Sequence, residues 1–231
     1  MLLELRAGGG DPDGLRKAGD QLSHEYLTAQ LAARRPADAV LSEEGIDDKA
    51  RLSADRVWIV DPLDGTWEFG EEGRTDWAVH VALWERGPGL TVGAVALPAQ
   101  DRVLSTTSPP RLPAGNNPLR IVVSRSRAPR LVHDVAGRIG AELVPCGSAG
   151  AKVATVLDGE TDVYLHAGGF YEWDTAAPVV VATAAGCHAS RIDGAALTYN
   201  RENPLMPDIL VCRPAIAGLL LEAIREATHA I

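Results

Sequence analysis

Apolar residues recur at helical spacing through Leu15, Ala18, Leu22, Tyr26, Leu27 and Leu31 until Pro36 stops the run, which predicts an amphipathic helix over residues 15–34. Ahead of it, Met1 to Arg6 has room for barely one helical turn, and Gly8 to Gly14 reads as a loop. Short segments with period-two alternation follow, predicting strands at 39–42, 57–60, 77–84, 90–97 and 102–106. The turn signals Gly87-Pro88-Gly89 and Ala99-Gln100-Asp101 make the later strands an antiparallel meander. Ser108 to Gly115, rich in proline, is the strongest linker signal, and it separates an N-terminal α+β lobe (1–110) from a C-terminal lobe (118–231). Beyond it strands at 119–123, 142–145, 162–166 and 209–212 alternate with helices at 129–139, 149–157, 175–185 and from Ala215 onward, the pattern of an α/β unit.

Composition narrows the function without naming it. With 231 residues and 46% hydrophobic content the chain can bury a sizeable core, and no apolar run reaches the roughly 20 residues of a membrane span. The opening Met1 to Arg6 is too short for a signal peptide, so a cytoplasmic location is the expectation. A net charge of -9 with scattered Lys and Arg argues against a nucleic-acid polymer as partner. Cys146, Cys187 and Cys212, odd in number and embedded in apolar segments, read as reduced core thiols.

The chemistry concentrates in Val57-Trp58-Ile59-Val60-Asp61-Pro62-Leu63-Asp64-Gly65-Thr66, an apolar strand expected to end in two aspartates. Pro62 stiffens the turn so that the Leu63 carbonyl can face the side where the carboxylates gather. Gly65 and Thr66 offer successive backbone N–H groups where a short helix could begin, a suitable cradle for phosphate oxygens. A plain surface turn would use the same residue types, but it needs neither two acids nor so apolar a strand. Glu43-Glu44 follows another strand, where it could equally be a solvated pair, and Asp174 precedes the helix at Thr175, where it could serve only as an N-cap. If these acids converge, two carboxylates about 4 Å apart repel by roughly 4 kcal/mol at an effective dielectric near 20, so cations must balance them. An all-oxygen ligand set selects Mg²⁺, with Mn²⁺ as the alternative, over Zn²⁺.

The ordered motifs Ser42-Glu43-Glu44, Asp61-Pro62-Leu63-Asp64-Gly65-Thr66 followed by Glu68-Phe69, and Trp173-Asp174-Thr175-Ala176-Ala177-Pro178 resemble those of the inositol monophosphatase superfamily over nearly the whole chain. Within it, the chain is similar to the CysQ-type 3'(2'),5'-bisphosphate nucleotidases. The resemblance implies a layered αβαβα sandwich holding two or three Mg²⁺ ions. It implies that Glu43, Asp61, Asp64 and Asp174 bind metal through carboxylates and Leu63 through its carbonyl. Thr66 would activate the attacking water together with Asp20, in a segment Ala18-Gly19-Asp20-Gln21 that resembles the Gly-Asp helix motif of those enzymes; otherwise Asp20 is a solvent-facing helix residue.

The resemblance also suggests where the ester is chosen. Ser124-Arg125-Ser126-Arg127 and Gly147-Ser148-Ala149-Gly150-Ala151-Lys152 resemble stretches that line the nucleotide pocket, which makes Ser124, Arg125, Gly147, Ser148 and Lys152 substrate-binding candidates; an exposed basic turn and an ordinary helix cap are the structural alternatives. Three departures stand out: Trp67 where a Lys or Arg is usual, Arg16-Lys17 where a threonine often precedes Gly-Asp, and little of the long first helix, which a truncated start would explain. The expected substrate is a small phosphate monoester, adenosine 3',5'-bisphosphate with the sulfated nucleotide second; inositol phosphates or fructose 1,6-bisphosphate are the alternative, and an inactive nucleotide- or partner-binding member the reading from another class. Lithium inhibition and a homodimer are further implications of the resemblance. His80, on an alternating strand with Trp77 and Trp84, reads as structural.

Overall fold

The computed structural model describes residues 1–126 and 128–229, so Arg127 of the basic stretch and the last two residues lie outside the described part. Helices α1 (Leu2–Ala7) and α2 (Pro12–Arg34) come first. Strands β1 (Ala39–Ser42) and β2 (Arg56–Asp64) pair in parallel, with a 3₁₀ turn at Lys49–Ser53 between them. After α3 (Thr66–Gly70), strands β3 (Ala78–Glu85), β4 (Gly89–Leu97) and β5 (Arg102–Ser105) complete a five-stranded sheet in sequential order, the antiparallel meander that the turn signals predict.

A second five-stranded sheet follows from β6 (Arg120–Ser124), β7 (Glu142–Cys146), β8 (Val163–Tyr171), β9 (His188–Ser190) and β10 (Leu205–Cys212), in the order β7-β6-β8-β10-β9. Its helices are α4 (Arg130–Ile139), α5 (Ala149–Asp158), α6 (Glu172–Ala184) and α7 (Ala217–His229). Helices α5 and α6 lie between the two sheets and touch both, whereas α2 covers the outer face of the first sheet and α4 with α7 the outer face of the second. This is the expected five-layer αβαβα arrangement. The sequence of α6 explains its central place: residues from Thr175 to Ala182 are all buried, and a helix apolar on every side is stable only when covered on every side. One continuous core, including Leu41, Ile59, Val95, Val153, Val181 and Ile209, therefore joins both halves of the chain.

Several boundaries differ from the sequence pattern, each for a reason. Strand β2 does not end before Asp61 but runs to Asp64 through a register shift, because Pro62 cannot donate to the ladder and the irregularity absorbs it. Both aspartates thus belong to the strand rather than following it. Strands β8 and β10 extend well past their predicted ends across a second register shift, between Met206 and Asp208, again at a proline. Helix α6 starts at Glu172, not Thr175, which places Asp174 in its first turn. The three-residue β9 is too short to leave a periodic signal.

Packing beneath the outer helices sets up the site. Leu63, Phe69 and Trp77 form a small core under α1 and α2, with the Phe69 and Trp77 rings edge-to-face at 4.9 Å. Such a pair adds about 1 kcal/mol beyond its buried area and pins α3 to the sheet. Arg6 reaches over both rings and donates to the Arg74 carbonyl at 2.6 Å and to that of Glu71, satisfying acceptors at the end of α3.

Candidate metal centre and phosphate site

Three carboxylates from two distant segments, β2 and the start of α6, meet beside α5: Asp61, Asp64 and Asp174 each bring one oxygen within 4.8 Å of the others. Asp61 is 1% exposed, its Oδ1 accepting from the Leu63 N–H at 3.0 Å. Its Oδ2 is buried with no hydrogen-bond partner among the described residues. A bare buried carboxylate oxygen among other acids is costly unless a cation meets it.

Asp64 is held differently. Its Oδ2 accepts from the Ser148 hydroxyl at 2.6 Å and the Gly150 N–H at 2.7 Å, and His80 Nε2 lies 3.2 Å away, a close polar contact without the alignment of a hydrogen bond. These donors sit at the start of α5, so Asp64 ties the first sheet to the central layer. Ser148 keeps φ at +41°, which costs about 1 kcal/mol or more for a side-chain-bearing residue. Its hydroxyl offsets that by donating to Asp64 while accepting from the Ala151 N–H at 2.9 Å. Opposite it, Gly65 has φ +87°, and a Cβ there would come within 2.9 Å of the Ser148 Cβ; only glycine fits between the Asp64 and Thr66 positions.

Asp174 accepts from the Tyr171 N–H at 2.6 Å, so it is the third helical residue closing a cap around Tyr171, not the N-cap itself. That bond occupies Oδ2 and orients the carboxyl beside Asp61 and Asp64. Glu43 joins from the residue after β1: its side chain is exposed at the rim, and its carboxyl feels the charges of Asp174, Asp64 and Asp20. Glu44 beside it stays exposed.

The electrostatics record the crowding. Burial, then the charge of Asp64 and the other acids, pushes the Asp61 carboxyl well above the carboxylate range. Burial and Asp64 raise Asp174 to about 7, and burial and Asp174 raise Glu43 to about 8. For Asp64 burial acts upward too, but the His80 ring, the Ser148 hydroxyl and the Gly150 N–H outweigh it and leave the group at about 2. Without a cation the cluster holds protons instead. The donors are all oxygens, which suits a hard divalent ion.

Beside the cluster, the Thr66 hydroxyl lies 3.1 Å from the Leu63 carbonyl and 3.4 Å from Asp20 Oδ1, so the two residues expected to act together are brought together. Burial and the charge of Glu44 raise Asp20 to about 7, against the opposing Thr66 hydrogen bond. Gly19 is why α2 comes so close: a Cβ there would stand 2.7 Å from Phe69 and 2.8 Å from Leu63. We expect Gly19→Ala to push α2 outward and cost about 1–3 kcal/mol, with Asp20 drawn off Thr66, so that melting temperature and turnover fall together.

The substrate-pocket candidates are placed less uniformly. Gly147 donates its N–H to Asp76, and a Cβ at Gly147 would strike Glu68, so this loop is packed tightly against the first half of the chain. Lys152 is buried, its ammonium donating to the carbonyls of Gly147 at 3.0 Å and Ser148 at 2.9 Å; it braces the loop that carries Ser148. Arg125 is engaged by Glu68 at 3.2 Å and Glu71 at 2.9 Å, and Ser124, half-buried, ends β6. The exposed Trp67 ring carries the Arg16 guanidinium 3.9 Å above it, which places a positive charge over the indole. Both line a cavity of about 560 Å³ shared with Lys17, Asp20, Glu44 and Thr66. A larger hollow of about 660 Å³, lined by Asp38, Arg56 and Glu85 among others, holds none of the clustered acids.

Sequence reasoning missed His80, Ser148 and Gly150 as partners of Asp64. Ser148 carried a helix-cap signal, but nothing local in the strand of His80 shows that it lies opposite Asp61.

The inositol monophosphatase family model matches residues 6–112 and 110–229. The chain is 51% identical over 237 aligned positions to a 3'-phosphoadenosine 5'-phosphate phosphatase of Mycobacterium bovis, covering 98% of this chain and 89% of that protein. It is 30% identical to the 3'(2'),5'-bisphosphate nucleotidase CysQ of Escherichia coli, covering 84% of this chain and 83% of the relative. Among solved structures, CysQ from Bacteroides thetaiotaomicron superposes with a TM-score of 0.72 at 28% identity, over 84% of this chain and 83% of that one. Fold, acid cluster and sequence agree: this chain belongs to the inositol monophosphatase family.

Proposed function

We propose that this chain is a magnesium-dependent phosphatase that removes the 3'-phosphate of adenosine 3',5'-bisphosphate, giving AMP and phosphate. The observation that carries the reading is the junction of Asp61, Asp64 and Asp174, with an unpartnered buried oxygen on Asp61, directly beside the Thr66–Asp20 pair. The choice of ester is supported by the 51% identical relative that acts on 3'-phosphoadenosine 5'-phosphate. Glu43, Asp61, Asp64, Asp174 and the Leu63 carbonyl are the groups that would hold the ions; residues 1–110 supply all but Asp174, and residues 118–231 supply that acid and the pocket candidates. When bound, magnesium supplies Lewis acidity toward phosphate oxygens and makes water at the site more acidic.

The protein's own groups do the rest. The N–H groups of Gly65 and Thr66 hold a phosphate oxygen, and the Thr66 hydroxyl takes the proton of the attacking water while passing its own to Asp20. A carboxyl near 7 is well matched to that exchange at neutral pH. In-line displacement then directs the ester oxygen away from Thr66. A cytoplasmic place of action fits the three buried free cysteines, and among the described residues no helix is long and apolar enough to cross a membrane.

The deciding experiment measures phosphate release from adenosine 3',5'-bisphosphate, inositol 1-phosphate and fructose 1,6-bisphosphate with Mg²⁺, with chelator and with added lithium. We expect preference for the nucleotide, loss with chelator and inhibition by lithium; preference for either other ester would overturn the assignment. In the same assay Asp20→Asn should lower kcat about 100-fold, the scale of general-base catalysis, without weakening magnesium uptake.

A further inference from the structure

We propose that His80 is a positioning residue of the metal centre, holding Asp64 and the start of α6 at one fixed spacing between the first sheet and the central helical layer. The inference rests on the reading of the acid cluster as a metal site. His80 is completely buried on β3, paired in register with Asp61. Its Nε2 lies 3.2 Å from Asp64 Oδ2, and its Nδ1 lies 3.2 Å from the carbonyl of Trp173, the residue preceding Asp174. The same Nδ1 is 4.0 Å from Asp61 Oδ2. A histidine that merely fills a core would face apolar neighbours; here both ring nitrogens face oxygens carried by, or adjoining, the clustered acids.

Room for the ring is reserved by the opposing helix. A Cβ on Gly150 would stand 2.2 Å from His80 Nε2, and the Gly150 N–H donates to the same Asp64 oxygen that the ring approaches. The ring therefore touches β2, the start of α5 and the start of α6 at once. Asp64 and Asp174 reach the site on separate elements, and the imidazole is the side chain that contacts one acid and the backbone leading into the other. Fixing ligand orientation from behind in this way governs affinity for the ion.

The test measures Mn²⁺ uptake by electron paramagnetic resonance for the parent chain and for His80→Ala, His80→Asn and His80→Gln, with melting temperature in chelator recorded for each. An asparagine amide can replace Nδ1 toward the Trp173 carbonyl, and a glutamine amide can replace Nε2 toward Asp64, so each restores one half of the bridge. We expect His80→Ala to bind Mn²⁺ about 10–100-fold more weakly, with KM for the ester unchanged at saturating metal. The Asn and Gln variants should recover part of that affinity while melting within a few degrees of the parent. Wild-type affinity in a folded alanine variant would overturn the inference alone. Were the alanine variant not to fold, the asparagine variant decides: weakened uptake supports the role, and undiminished uptake refutes it. An unmodified chain that takes up no Mn²⁺ would overturn both this inference and the metal-centre reading.

Discussion

Replacing Asp61 by asparagine is expected to abolish magnesium uptake and cut phosphate release by about a thousandfold, while the metal-free protein melts at a higher temperature than the parent. The two effects come from one oxygen. Asp61 Oδ2 is buried, unpartnered and surrounded by Asp64, Glu43 and Asp174, whose charges oppose its ionisation. An amide in its place is neutral without having to take up a proton and supplies N–H donors to carboxylates that lack them, which stabilises the metal-free cluster. The same change deletes a ligand, and loss of several kcal/mol of charge stabilisation in the transition state corresponds to about three decades in rate. Calorimetric titration with Mg²⁺, a melting curve in chelator and a phosphate-release assay examine the three parts separately. A variant with parental turnover would remove Asp61 from the chemistry, and a destabilised apo form would show that the acids do not oppose one another as described.

Stripping the metal should make stability fall as pH rises from about 4 to about 8, with Mg²⁺ abolishing the trend. The sign follows from the direction of the shifts. Asp174 and Asp20 sit at about 7 and Glu43 at about 8 in the folded chain, all above their unfolded values. The folded state therefore holds more protons than the unfolded one across this range, and its advantage is complete below the unfolded values and lost as pH passes the folded ones. Asp64 works in the other sense: held at about 2, it contributes stability that disappears only as pH drops from about 4 toward 2. Allowing for solvent at the rim, where Glu43 and Asp20 are partly exposed, the combined loss is on the order of a few kcal/mol, or about 10 °C in Tm for a chain of this size. Bound cations replace the protons, so magnesium uptake at pH 6 should also release protons measurably. A melting temperature independent of pH in chelator would contradict the convergence of acids on which the reading depends.

Both expectations trace back to motifs readable along the chain. Asp61 and Asp64 stood out because a strand as apolar as Val-Trp-Ile-Val has no local reason to carry two acids around a proline, and Thr66 followed from the glycine turn beside them. The meander, the linker and the later alternation of strands and helices were equally legible, since each depends on near neighbours in sequence, whereas their stacking into five layers was reached through family likeness. Where the pattern erred, at the ends of β2 and β10, a proline sat inside the strand, and pairing continued across a register shift that only the partner strand, β3 or β8, could support. Asp174 was recognised as a helix-start acid but assigned to the wrong position, because Glu172, buried against the Asn200 and Arg201 N–H groups, starts the helix earlier than its local residues suggest.

Residue order alone was therefore enough to single out Asp61 and Asp64, because two acids at the end of so apolar a strand have a neighbour-level signature, whereas Glu43, Asp174 and the Thr66–Asp20 pairing were reached through family likeness. Folding in three dimensions settled which groups steady them: His80 behind Asp61 and Asp64, Ser148 and Gly150 as donors to Asp64, Lys152 bonded to its own loop, and Arg125 engaged by Glu68 and Glu71. Those contacts join segments far apart in the chain. They depend on strand register, on a positive φ at Ser148 and on the missing Cβ of Gly150, none of which is visible until the sheets have paired and α5 has packed between them.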